Sequence, residues 1–127
     1  MGKISKYVFD LTTNSSGDAS VTKSIIGKID SISVDYAADM ASGADITITG
    51  YIGAKSFTLY SKTDSVTDAI VRPRVVVQDN AGTDIDLSDT EGGNTAQYEH
   101  YAVDAVNVTI AQGGDTKECA VTILAEE

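Results

Sequence analysis

The chain has 127 residues and a formal net charge of −10, from 19 acidic and 9 basic residues. Its length fits one domain that buries about two-thirds of its unfolded surface, without help from a disulfide or a metal. The negative charge argues against a primary nucleic-acid binder, which needs basic residues to neutralise phosphates, and against docking on anionic membranes. It suits a protein that stays soluble at high local concentration, because like-charged copies repel one another.

The sequence shows no targeting or membrane signal. No run approaches the ~18 apolar residues of a membrane span, and residues 1–10 lack the apolar stretch of a secretory signal. We therefore expect an intact, soluble product. The single cysteine, Cys119, excludes an intrachain disulfide and zinc sites built on paired cysteines. Its place in an alternating apolar run predicts a small buried side chain rather than a reactive thiol.

The aliphatic composition favours strands over helices. The chain contains 12 Val, 12 Ile and 14 Thr but only 4 Leu. β-branched side chains lose rotamer freedom in helices and pack well on a pleated sheet. No stretch keeps a helical apolar period, and 11 glycines help to break the chain at short intervals. The sequence therefore predicts one all-β domain over residues 1–127, an antiparallel β-sandwich or jelly roll of about eight strands.

The first predicted strand spans residues 4–12 and the second spans residues 19–26. Between them, residues 14–18 read Asn-Ser-Ser-Gly-Asp, and these residue types favour tight turns. Strands separated by so short a turn are typical of a β-hairpin, so we expect the first two strands to pair with each other.

The third predicted strand, residues 28–36, contains a break in its alternation. Ile29 is out of phase with the apolar series that begins at Ile32, which indicates a bulge near Asp30. The elements that follow are a loop of small residues, a regularly alternating strand and a shorter strand, at residues 37–43, 44–52 and 55–60.

The only proline, Pro73, lies in the strand predicted at residues 70–78. Proline cannot donate a hydrogen bond to a sheet, so this strand lies at an edge or begins after Pro73. A turn at residues 79–82 and a short return strand at residues 83–87 follow. Residues 88–96 are predicted to form an exposed, mobile loop.

The last two predicted strands span residues 98–111 and 117–124. Between them lies the sequence Gln-Gly-Gly-Asp at residues 112–115, which favours a tight turn. We therefore expect a second hairpin to close the chain, with the Cys119 side chain directed inward.

The single histidine, His100, limits the chemistry that the chain can perform. It excludes metal centres built on several histidines, and any Ser-His-Asp or Cys-His arrangement would have to use it as the base. No nucleophile elbow lies near the segment Tyr98-Glu99-His100-Tyr101, so we interpret His100 as a surface or interface residue. The sequence thus predicts a non-enzymatic protein with no catalytic residue and no cofactor.

Acidic residues leave two further possibilities. Glycosidase chemistry needs two carboxyl groups about 5–10 Å apart, a separation that a sequence does not reveal. The acidic segment at residues 84–91 is the best calcium candidate, but its spacing does not match the EF-hand pattern. We prefer to interpret it as a solvated acidic loop, and we predict no metal site.

The two arginines of the chain, Arg72 and Arg74, flank Pro73. On one continuous strand their side chains would project to the same face. Arginine suits bidentate contacts with carboxylates and is enriched at interface hot spots. We expect the two to contact an acidic partner surface or a neighbouring subunit. The alternative is an intramolecular pair with Asp or Glu.

Three segments resemble small structural proteins that tailed phages encode among their head genes. The first is Lys-Tyr-Val-Phe-Asp at residues 6–10, followed by Gly-Asp-Ala-Ser-Val-Thr at residues 17–22. The second is Arg-Pro-Arg at residues 72–74 with Asp-Asn-Ala-Gly at residues 79–82. The third runs from Val108 through the Gly-Gly pair to Ile123.

The resemblance implies a capsid decoration, or cement, protein on the exterior of the virion, made in the host cytoplasm. Such a protein would form a homo-oligomer, a dimer or trimer, and bind the major capsid protein. The candidate interface residues are Arg72, Arg74, Tyr98, His100 and Tyr101. A tail or neck component fits the same pattern.

Two other functions are compatible with the sequence. A receptor- or carbohydrate-binding sandwich would place exposed tyrosines along a groove, with candidates Tyr51, Tyr60, Tyr98 and Tyr101. An enzyme on a jelly-roll scaffold would show a deep pocket with two convergent acids.

Overall fold

The computed structural model describes residues 2–78, 80–83, 86–88, 94–96 and 98–127. Every regular element in these ranges is a β-strand, so the predicted all-β class is confirmed. The strands in chain order are β1 (Ile4–Thr12), β2 (Ala19–Lys23), β3 (Gly27–Tyr36), β4 (Asp45–Ile52), β5 (Lys55–Lys62), β6 (Ala69–Val71), β7 (Arg74–Val76), β8 (Asp86–Ser88), β9 (Asn94–Ala96), β10 (Tyr98–His100), β11 (Ala102–Val103), β12 (Ala105–Ala111) and β13 (Glu118–Glu126).

Two antiparallel sheets pack face to face around one core. The first sheet has the order β1-β13-β3, with β6 and β11 both on the far side of β3. The second sheet has the order β2-β12-β4-β5. A single cluster of buried side chains from both sheets fills the space between them, so the architecture is the predicted antiparallel β-sandwich.

Alternation along the central strands builds this core. In β4 the inward side chains Ile46 and Ile48 are buried, and Ala44 just before the strand is buried with them, as the sequence predicts. The other large side chains without solvent exposure come from both sheets and include Phe9, Ile29, Ile32, Val106, Val108, Ile110, Val121 and Ile123. Each such side chain contributes about 1.5–3 kcal/mol to stability when it leaves water.

The predicted bulge at Asp30 is confirmed. Along the β3–β13 pair, Ser31 lies opposite Leu124 and Ile29 lies opposite Ala125, so Asp30 is an extra residue without a partner. The insertion shifts the phase of the strand and lets Ile29 reach the core although it is out of step with the residues that follow.

Both predicted hairpins are wrong. β1 pairs with β13 and β2 pairs with β12, so the first two strands lie in different sheets. The last two long strands, β12 and β13, are likewise divided between the sheets. The turn residues at 14–18 and 112–115 therefore carry the chain from one sheet to the other. Alternation in the sequence shows which side chains face the core, but it does not show whether the next strand lies in the same sheet or in the opposite one.

The two sheet-to-sheet connections pack against each other at one end of the sandwich. The Gly113 N–H donates to the Gly17 carbonyl oxygen at 2.9 Å. Gly17 has a φ of +83°, and a Cβ there would lie 2.9 Å from the Gly113 nitrogen. The buried Thr13 hydroxyl donates to the Gly114 carbonyl and accepts a hydrogen bond from the Lys117 N–H. This end of the molecule thus needs glycine at position 17.

The strand predicted at residues 70–78 is divided at Pro73. β6 pairs with β3 in the first sheet, whereas β7 pairs with β10 in a separate two-stranded ribbon. Among the described residues β6 has only that one partner strand, which fits the edge position expected for a proline-containing segment. Arg72 lies outside both strands, so the expectation that Arg72 and Arg74 share one face of a continuous strand is wrong.

The region around residues 83–111 also differs from its prediction. The segment 98–111 forms three strands and not one. β10 pairs with β7, β11 pairs with β3 of the first sheet, and β12 pairs with β4 of the second sheet. β8 pairs with β9, so residues 94–96 of the predicted mobile loop form a strand. Asp79 of the predicted turn and most of the acidic segment 84–91, the calcium candidate, lie outside the described residues.

Candidate functional site

A polar cluster forms where the β7–β10 ribbon, Arg74–Val76 with Tyr98–His100, meets the bulge of β3. In the ribbon His100 lies directly opposite Arg74. The Arg74 Nη1 donates to the carbonyl oxygens of Asp30, at 3.0 Å, and of Pro73, at 2.8 Å. The bulge therefore turns an unpaired backbone carbonyl toward the ribbon, and the guanidinium binds it.

The Asp30 carboxylate lies between the two basic side chains of this cluster. Its Oδ1 is 3.9 Å from the Arg74 Nη2 and 3.7 Å from the His100 Nε2. All three side chains are partly exposed, and an exposed ion pair such as Arg74–Asp30 contributes about 0–1 kcal/mol. The two carbonyl contacts hold Arg74 more firmly than the carboxylate does, because they are short and directional. Part of the alternative expectation, an intramolecular partner for Arg74, is therefore present.

The remaining candidate interface residues differ in their surroundings. Arg72 is exposed, and no described residue binds it by a hydrogen bond or an ion pair. Tyr98 is 62% exposed. Tyr101 instead packs against the core, with its ring stacked on Phe57 at a centroid distance of 5.1 Å. Its carbonyl oxygen also accepts a hydrogen bond from the Ile29 N–H, so Tyr101 fixes the ribbon to the sandwich.

We define the basic edge as Arg72, Arg74, Tyr98 and His100. Sequence reasoning names all four, and the structure brings Arg74, Tyr98 and His100 onto one ribbon, with Arg72 two residues before Arg74. Asp30, which contacts Arg74 and His100 of this edge, is the residue that sequence reasoning misses. Its signal was the phase break at Ile29, which locates the bulge but does not identify what the bulge binds.

An acidic depression lies on the outer face of the first sheet. Its lining includes the carboxylates Asp10, Asp35 and Glu118 around Ala120. The strand register explains the grouping, because Ala120 of β13 lies opposite Asp10 of β1 on one side and Asp35 of β3 on the other. Sequence reasoning misses this surface, since it depends on which strands are neighbours.

The thiol and phenol next to this depression are held in their neutral forms. Burial raises the pKa of the Cys119 thiol to about 11, with a further contribution from the charge of Asp35. Burial likewise raises the pKa of Tyr36 to about 12. Cys119 is 3% exposed, so the predicted small buried side chain is confirmed. A neutral, buried thiol is a poor nucleophile.

The tyrosines named for a carbohydrate groove are dispersed. Tyr60 and Tyr101 pack against the core cluster. Tyr51 is only partly exposed and follows the buried Gly50 in β4. Tyr98 lies on the separate β7–β10 ribbon. Of the four, Tyr98 alone is a strongly exposed ring.

Within the described ranges, no group of three or more His, Cys, Asp or Glu side chains is placed to hold a metal ion. The same residues include no helix with the length and apolar character that a membrane crossing needs. Comparisons with protein-family models, curated proteins and solved structures found no match for this chain.

Proposed function

We propose that this chain is a structural virion protein that decorates and stabilises a phage capsid by binding the lattice of the major capsid protein. The observation that carries the proposal is the basic edge. In a chain of net charge −10, Arg74 and the single histidine lie opposite each other on one ribbon that also carries the exposed Tyr98, and the other arginine, Arg72, lies two residues before Arg74 in the chain. Arginine and tyrosine are the residue types most enriched at interface hot spots.

The sequence resemblance to phage head proteins supports the same proposal through the order of its segments and not through the hairpins expected from it. The first and last of its segments, residues 6–22 and 108–123, cross between the sheets and do not form hairpins. The middle segment, residues 72–82, does not form one continuous strand, because the strand pairing is divided at Pro73. The order of strand and turn segments along the chain remains. The proposal therefore depends on the basic edge and the scaffold more than on the motifs.

The scaffold has the properties that a decoration protein needs. A sandwich with a continuous buried core presents its surface rigidly, so little conformational entropy is lost on binding. Many copies that bind only the assembled lattice stabilise it by mass action, without any catalytic step. The acidic remainder of the surface keeps the unbound protein from aggregating.

Arg72 offers the cleanest test of the basic edge, because no described residue binds its side chain. Purified protein would be mixed with phage capsids that lack decoration protein, and bound protein would be measured by sedimentation. We expect Arg72→Glu to weaken capsid binding by about tenfold or more, since removal of a hot-spot residue costs about 2 kcal/mol. Circular dichroism would show an unchanged fold, because the side chain is exposed.

Lys62→Glu serves as the matched control. It makes the same change of charge on an exposed residue at the end of β5, which belongs to the second sheet and not to the ribbon. Equal loss of binding in both variants would indicate a general charge effect and contradict a specific role for the basic edge. Full binding by Arg72→Glu would contradict it directly.

A further inference from the structure

One long edge of β1 has no partner among the described strands. Among the described strands β1 pairs only with β13, over nine residues and without a shift of register. It contains neither proline nor glycine. The other outer strand of comparable length, β5, has a bulge in its pairing with β4 and a lysine at each end, two features that discourage edge-to-edge association. β2, at the opposite edge of the second sheet, has only five residues.

The direction of the free hydrogen-bonding groups follows from two bonds at the ends of the pair. The Thr13 N–H donates to Lys117, and the Glu127 N–H donates to Lys3, so odd-numbered residues bond toward β13. Because the direction alternates along a strand, the N–H and C=O groups of even-numbered residues point to the open edge. These residues are Ile4, Lys6, Val8, Asp10 and Thr12, whose side chains are all exposed.

We propose that the open edge of β1 pairs antiparallel with β1 of a second copy of this chain, about a two-fold axis at Val8. In this register Val8 faces Val8, and Lys6 faces Asp10 of the other copy twice. Opposite charges in cross-strand pairs are stabilising. The edge is therefore self-complementary in charge, which is what a symmetric dimer interface requires.

Two further features of the surface favour this partner. Lys6 of the second copy arrives beside Asp10 at the rim of the acidic depression, where Asp35 and Glu118 also carry negative charge. Val8 and Ile4 are 36% and 57% exposed in the single chain, and pairing covers part of both. The first sheets of the two copies then form one continuous sheet, and the unpaired edge disappears.

The inference rests on the proposed function, and it specifies an interface for the homo-oligomer that the resemblance to phage head proteins implies. The mass in solution tests it without a capsid, so its failure is distinguishable from a failure to bind the capsid. Light scattering would measure the wild-type mass, with twice the 13.3 kDa of one chain expected. A monomer, or a trimer, would overturn the proposal.

Charge exchange tests the register itself. Lys6→Asp and Asp10→Lys each place like charges opposite each other at two symmetric positions, so each raises the dimer dissociation constant about tenfold. The double variant exchanges both charges and restores the dissociation constant to within about threefold of wild type. Lys62→Asp, on β5, is the matched control and leaves it unchanged. A double variant as weak as either single variant would overturn the proposed pairing.

Discussion

The Arg74 guanidinium donates a hydrogen bond to the carbonyl oxygen of Asp30, the bulge residue that interrupts the pairing of β3 with β13. A break in strand pairing thus becomes the attachment point for the ribbon that carries the basic edge. The phase break at Ile29 indicates the bulge in the sequence, and the hydrogen bond from Arg74, 44 residues further along the chain, attaches to it.

The two sides of this contact should differ in their effect on stability. Arg74→Ala removes both carbonyl contacts and is expected to lower the free energy of unfolding by about 1–2 kcal/mol. Asp30→Ala keeps the carbonyl and removes only a partly exposed carboxylate, so we expect about 0–1 kcal/mol. Urea unfolding of both variants would measure the difference, and a larger loss for Asp30→Ala would contradict the assignment.

The buried face of β3 predicts a much larger effect. Ile32 is 0% exposed and lies opposite Ile123 in the core, so Ile32→Ala should cost about 2–5 kcal/mol. Ile70 of β6 is 66% exposed and provides the control, with a change within about 0.5 kcal/mol. Similar unfolding midpoints for the two variants would show that the sheets do not pack as described.

The contact between the two sheet-to-sheet connections can be tested with a pair of glycines. Gly53→Ala introduces a side chain at a φ of +59° with open space around it, and should cost about 1–2 kcal/mol. Gly17→Ala adds a clash with the Gly113 backbone, so we expect it to cost about 1 kcal/mol more. Thermal or urea unfolding would measure both variants. Equal costs would mean that the two connections do not touch.

Alkaline pH should destabilise the fold through Cys119 and Tyr36. Their folded pKa values, about 11 and about 12, lie above the ordinary values of 9.0 and 10.0, so the folded state holds these protons more tightly. Their contribution to stability is full below pH 9 and is lost as the pH rises through the folded pKa values. Urea unfolding between pH 8 and about pH 11 would show the decline. A Cys119→Ala, Tyr36→Phe double variant should show a shallower decline, and an identical slope would contradict this origin.

The sequence predicts which residues face the core but not which strands are neighbours. Alternation places Ile46, Ile48 and Val108 inward whether the chain returns to its own sheet or crosses to the other. The turn chemistry at residues 14–18 and 112–115 is compatible with both routes, and in the structure Asn14 accepts hydrogen bonds from Ser16 and Asp18 within a crossing connection. Only long-range pairing, such as β1 with β13, distinguishes the two.

For the candidate site too, the sequence predicts the residues but not their neighbours in space. The rarity of arginine and histidine in the sequence identifies Arg72, Arg74 and His100 as candidates, whereas the meeting of Arg74 and His100 at Asp30 depends on the β7–β10 pairing. The acidic depression was not visible, because Asp10, Asp35 and Glu118 are far apart in the chain and become neighbours only through the strand order.

Saturation binding to capsids tests the proposed function most directly. Wild-type protein would be titrated against tailed-phage capsids that lack decoration protein, and the bound copies counted after sedimentation. We predict saturation at a fixed number of copies per major capsid subunit, together with greater resistance of the capsids to heat or denaturant. Protein that remains in the supernatant at every concentration, and leaves capsid stability unchanged, would contradict a decoration role.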